Sequence, residues 1–185
     1  MYAKILILAG ALTLSQNVFS FSVELDEAVT PKSISKIIST IDKKISEGET
    51  ELKFKLDSEG GEVPSALRMA NYLREKRQQG LQVTTQVNSR CNSACTIIFA
   101  AGEVRKAAGG AEFYFHSVGV QGAGSNHDAV QAQWSRIWLN EIAGVDPRLA
   151  AELDADEITV GKDNERTYYG RKLFNQGYSY VTELL

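Results

Sequence analysis

The sequence predicts an α/β domain whose mainly parallel sheet is covered by helices. Three observations carry that prediction. Residues 51–56 alternate cleanly, with Leu52, Phe54 and Leu56 on one face and Glu51, Lys53 and Lys55 on the other. This strand runs straight into the glycine turn Asp57-Ser58-Glu59-Gly60-Gly61, and a helix pattern follows from about Val63 to Gln79. Strand and helix signals then keep alternating, the order expected of parallel pairings with crossover helices.

The elements follow in order. Residues 24–29 read as a first strand. Thr30-Pro31-Lys32-Ser33 then opens a helix, with Thr30 as cap and Pro31 at the first helical position, and Ile34, Ile37, Ile38, Ile41 and Ile45 recur at helical spacing. After Gly80 a strand covers 81–87. A short apolar helix over 91–101 carries Ser93 near its start and is ended by Gly102. Residues 111–116 form a strand with His116 at its C-terminal end, and Gly119, Gly122 and Gly124 mark a loop. A long helix over 128–142 sets Val130, Trp134, Ile137, Trp138 and Ile142 along one face, either a packing seam or a subunit contact. A short helix over 171–175, ended by Gly177, and a strand over 178–184 complete the chain.

The N-terminus bears on compartment. Lys4 precedes the apolar run Ile5–Leu14, then polar Ser15-Gln16-Asn17 and Val18-Phe19-Ser20, the pattern of a secretory signal cleaved after Ser20 or Ser22. The run is shorter than the roughly 18–20 residues that span a bilayer, so no stable membrane span is expected after cleavage. Residues 1–20 are read as the signal and 21–185 as a single domain. The chain has 20 Lys and Arg against 23 Asp and Glu, a net charge of −3. With no basic block or aromatic–basic interleaving, nucleic acid is not an expected partner.

Cys91 and Cys95 are the two cysteines. In an exported chain an even pair favours a disulfide, and positions i and i+4 of a helix are close enough for one; two free packed thiols are the alternative. The loop closed would be small, so the bridge would chiefly rigidify the turn that carries Ser93. His116 and His127 are the only histidines, too few to suggest a metal site with this pair, and no cofactor motif is present.

Three segments suggest acyl-transfer chemistry, which needs a hydroxyl nucleophile, a base and N–H groups for an oxyanion. The Gly60-Gly61 turn offers N–H groups at a sharp bend, Ser93 sits at a helix start, and His116 ends an apolar strand where α/β sites form. Each also has a plain structural reading: a βα turn, a helix cap and a packed histidine. The Ala94 N–H is placed to join Gly60 in an oxyanion hole if Ser93 is the nucleophile.

Taken together, these segments resemble Clp-type proteolytic subunits and, more closely, exported relatives within the ClpP/crotonase superfamily. The strand ending in Asp57-Ser58-Glu59-Gly60-Gly61 is similar to the family's Ser-Pro-Gly-Gly turn. Ser93 precedes Ala101-Gly102 as the family's nucleophile precedes Ala-Gly, and Arg105 leads to a strand ending in Phe115-His116. The resemblance implies a ββα spiral fold, with Ser93 as nucleophile, His116 as general base, and Gly60 and Ala94 as oxyanion donors. It places an acid after the long helix, for which Asp163 is the choice and Asp156 and Glu165 are competitors. Glu59 replaces the family's proline, and the cysteines flanking Ser93 are foreign to cytosolic subunits. The function expected is an exported serine hydrolase acting on polypeptides, with a homo-oligomer possible. A silent peptide- or partner-binding module and crotonase-type acyl-CoA chemistry are the other readings.

Overall fold

Residues 19–119, 127–156 and 165–185 are described by a computed structural model, and the following account concerns these. The main sheet runs in the order β1 (Ser20–Leu25), β2 (Glu51–Ser58), β3 (Gln82–Cys91), β4 (Val104–Ala107) and β7 (Glu183–Leu184), all parallel. Between them come α1 (Pro31–Ser46), α2 (Val63–Gln78) and α3 (Cys95–Ala100). The end of β3 bends away to pair Arg90 with Glu112 of β5 (Glu112–His116), and β6 (Glu165–Tyr169) runs antiparallel to β5. Helices α4 (His127–Ala143), α5 (Pro147–Ala155) and α6 (Gly170–Asn175) complete the chain. The α/β, mainly parallel architecture predicted from the sequence is present.

Local chemistry explains the starts and stops. Thr30 caps α1 by accepting from the Ser33 N–H at 3.2 Å, while Ser33 Oγ accepts from the Thr30 N–H at 2.9 Å. Ile34, Ile37 and Ile41 then bury one face of that helix. Strand β2 alternates as its sequence does, with Leu52, Phe54 and Leu56 all buried. An aromatic group under β5 closes the core beside the site. The Phe99 and Phe113 rings stand 5.0 Å apart, Phe115 meets Trp138 at 5.8 Å, and Tyr180 touches all three phenylalanines. Each such ring contributes about 2–3 kcal/mol through burial.

Several boundaries differ from those predicted. The first strand is Ser20–Leu25 rather than 24–29, because Phe21, Val23 and Leu25 form its buried face against β2. The helix after Ser93 begins only at Cys95, so Ser93 lies in the preceding turn. The last strand shrinks to Glu183–Leu184, since the preceding segment is spent on burying Tyr178, Tyr180 and Val181. Strands β4 and β6 and helix α5 had no sequence expectation. The N-terminal apolar run read as a signal, up to Val18, the predicted loop positions Gly122 and Gly124, and Asp163 lie outside the described residues.

Candidate functional site

Ser93 sits at the tip of a turn from β3 into α3, with φ of +53°, the one positive φ at a non-glycine position among the described residues. That left-handed conformation costs a side-chain-bearing residue roughly 1–2 kcal/mol, so the surroundings must enforce it. They do so from several directions. Cys91 and Cys95 form a disulfide with a Cα–Cα distance of 5.2 Å, clasping the turn. The bridge joins the end of a strand to the first residue of a helix, not two positions on one helix face. The Ser93 N–H donates to the Tyr114 carbonyl at 2.8 Å, and its own carbonyl accepts from Thr96 Oγ1 at 2.6 Å. Trp138 Nε1 in turn donates to Thr96 Oγ1 at 2.9 Å, locking that hydroxyl. Asn92 donates to Glu59 at 2.9 Å and Glu112 at 3.1 Å and accepts from the Tyr114 N–H, tying the glycine turn to β5.

Among the described residues the Ser93 hydroxyl has no hydrogen-bond partner. The residue at the cap of α3 is Ala94, with no side-chain cap bond, so Ser93 does not cap the helix. Its side chain is half-buried and opens into a cleft of about 750 Å³ that His116 also lines. No hydrogen bond joins Ser93 Oγ to His116 in this resting geometry; such bonds commonly tighten only with substrate present.

The glycine turn packs against this elbow. A Cβ on Gly60 would stand 2.6 Å from the Asn92 carbonyl oxygen and 2.7 Å from Ser93 Cβ, so only glycine fits, at φ of +95°. The Gly60 N–H is engaged, donating to the buried Ser58 Oγ at 3.1 Å. Gly61 differs: its neighbours bond to Val29 on either side, but its own N–H has no partner among the described residues, and it lines the cleft. The Ala94 N–H is likewise without an intramolecular partner among them. Glu59, one residue earlier, is turned outward and pairs with Arg90 as well as Asn92.

On the opposite wall, His116 is half-buried at the end of β5. Its Nδ1 stands 2.7 Å from the Ser117 carbonyl oxygen, which can only accept. Nδ1 therefore carries the proton in the neutral ring, leaving Nε2 as the lone-pair nitrogen. The ring lies 5.1 Å from that of Tyr114. Of the acids the sequence nominated, Glu165 is paired directly opposite His116 in the β5–β6 ladder, and its carboxylate accepts from the Tyr114 hydroxyl. That bond holds the Tyr114 phenol above its usual range. Asp156 is committed elsewhere, accepting from Arg166 at 2.8 and 3.0 Å.

Among the described residues no group of side chains could hold a metal ion, and no helix is long and apolar enough to cross a membrane. No protein-family model and no curated protein matches the chain. Solved structures do match: the ClpP protease catalytic domain from Plasmodium falciparum superposes with a TM-score of 0.69. The fold is ClpP-like. The superposition covers 89% of this chain and 84% of that one at 14% identity, so it establishes the architecture and leaves the chemistry to the site.

Proposed function

We propose that this protein is an exported serine hydrolase that cleaves polypeptides through Ser93 and His116. The observation that carries the reading is Ser93 itself: a left-handed serine, capping nothing, clasped by a disulfide and opening on the same cleft as a histidine. In this scheme Ser93 Oγ attacks the scissile carbonyl carbon as His116 Nε2 takes its proton. The Ser117 carbonyl keeps the second imidazole proton on Nδ1. The resulting oxyanion accepts from the N–H groups of Gly61 and Ala94. Gly61 takes the place the sequence suggested for Gly60, whose N–H is held by Ser58. His116 then protonates the leaving amine, and a water activated by the same Nε2 hydrolyses the acyl-serine.

An acid completes the site by stabilising the imidazolium. Glu165 lies across the ladder from His116 and supports that role; Asp163 keeps the nomination that the sequence resemblance gives it. Export is supported by the disulfide and by the apolar leader after Lys4. A peptide substrate and self-association are inferred from the ClpP-like fold.

Reaction of the oxidised mature protein with a fluorophosphonate tests the reading. Labelling on Ser93 that is lost in Ser93→Ala and in His116→Ala is expected. A folded protein that takes no label would instead be a binding module that retains the fold.

A further inference from the structure

The cleft has a chemical preference written on one wall. Beyond Gly61, it is lined by Glu62, Val63 and Pro64 at the start of α2 and by Trp134 of α4. Among the described residues Glu62 is its one carboxylate. Unlike Glu59, which is occupied by Arg90 and Asn92, Glu62 pairs with no cation among the described residues. Its one side-chain hydrogen bond among the described residues is a long one from Ser65 Oγ, at 3.3 Å. It stands at the cap of α2 but makes no capping bond with its side chain. Trp134 is half-buried, packed on the core, and presents an indole to the same space; aromatic faces attract cations, indole most strongly. Because Glu62 directly follows Gly61, the carboxylate is one residue from an oxyanion donor.

We infer that this wall selects a lysine or arginine side chain on the acyl side of the scissile bond, with Glu62 pairing its charge and Trp134 covering its stem. The inference rests on Ser93 being the nucleophile. An unpaired carboxylate discriminates against an acidic residue at the same position by like-charge repulsion and disfavours an apolar one only by leaving itself unpaired.

The test uses three peptidyl diphenyl phosphonates that differ only beside the phosphorus, carrying lysine, norleucine or glutamate, with a plain fluorophosphonate alongside. The lysine probe is expected to react with Ser93 at least tenfold faster than the glutamate probe and several-fold faster than norleucine, with both ratios falling as salt rises. Glu62→Gln should collapse the lysine-to-norleucine ratio towards one, Trp134→Leu should lower it, and Glu62→Lys should favour the glutamate probe. A norleucine preference, or ratios unchanged in Glu62→Gln, would overturn the inference while fluorophosphonate labelling of Ser93 left the hydrolase reading standing. Failure of all four reagents on folded protein would overturn both.

Discussion

The two walls of the cleft are built differently. The wall that carries Ser93 is held redundantly: a disulfide, a buried Asn92 bonded to three partners, a Trp138–Thr96–Ser93 relay and a glycine pressed against the turn all fix one backbone conformation. The wall that carries His116 has no covalent clasp; among the described residues it is held by pairing with β6 and by hydrogen bonds from Gln131 to Ser117 and from Val118 to Ser135. One carbonyl sets the histidine's tautomer, one tyrosine ring lies against it, and four of the five residues of the neighbouring β6 are exposed. In the proposed mechanism Ser93, as a nucleophile in a disfavoured conformation, needs many constraints, whereas His116, as the base, needs only the right tautomer and room to approach. The proposed oxyanion donors, the N–H groups of Gly61 and Ala94, lie on the rigid wall, which is where preorganisation matters most.

The largest expected effect comes from loading the rigid wall with a single methyl group. Gly60→Ala would set a Cβ against the Asn92 carbonyl and Ser93 at a φ reserved for glycine, costing about 2–4 kcal/mol. Urea denaturation should show that loss, and fluorophosphonate labelling should fall with it. Wild-type stability in this variant would mean that the elbow has slack. Next comes the clasp. In the chain-entropy picture, a loop this short contributes about 2 kcal/mol, so Cys91→Ala/Cys95→Ala should lose that much and label about tenfold more slowly. Unchanged labelling would show that the hydrogen bonds alone hold Ser93.

The His116 wall should respond less. Where an acid alone fixes the imidazole tautomer, its loss costs about 10⁴ in rate. Because the Ser117 carbonyl already does this here, Glu165→Gln and Asp163→Asn should each slow labelling by about tenfold or less. A loss of thousands-fold in one of them would identify that acid as the tautomer-setting member. The smallest effect lies behind this wall, where the Tyr168 and Tyr178 hydroxyls donate to Glu152 and hold its carboxyl below the ordinary range. The folded state therefore releases this proton more readily than the unfolded chain. That stabilisation is complete above the ordinary glutamate pKa of about 4.3 and fades as pH falls through the lowered value. Glu152→Gln should flatten the acid limb of stability against pH, read by thermal melts; an unaltered limb would place the acid sensitivity elsewhere.

The rigid wall was also the more legible in sequence. The alternation of 51–56 and the two glycines announced a strand and its turn, and Cys91 and Cys95 bracketed Ser93 in plain view. The pairing of Ser93 with His116 came from resemblance, since nothing in residue spacing says that two segments face one cleft. What escaped reading has physical causes. Strand β4 hides because its inward residues are small Ala107 and Arg105, the latter buried and satisfied by the carbonyls of Gly102, Ser179 and Tyr180. Strand β6 shows little apolar signal because Tyr168 is its one buried residue. The proposal of Gly61 rather than Gly60 as oxyanion donor rests on a side chain two residues back, Ser58, reaching the Gly60 N–H, a contact that composition does not reveal.

The proposed mechanism requires Ser93 to stand opposite His116, with the Gly61 and Ala94 N–H groups converging on the reacting atom. A crystal structure of the phosphonylated oxidised protein tests this directly. Phosphorus is expected on Ser93 Oγ, with its oxygen about 3 Å from both N–H groups and His116 Nε2 turned toward the adduct. An adduct oxygen directed into solvent, with Gly61 and Ala94 unengaged, would contradict it.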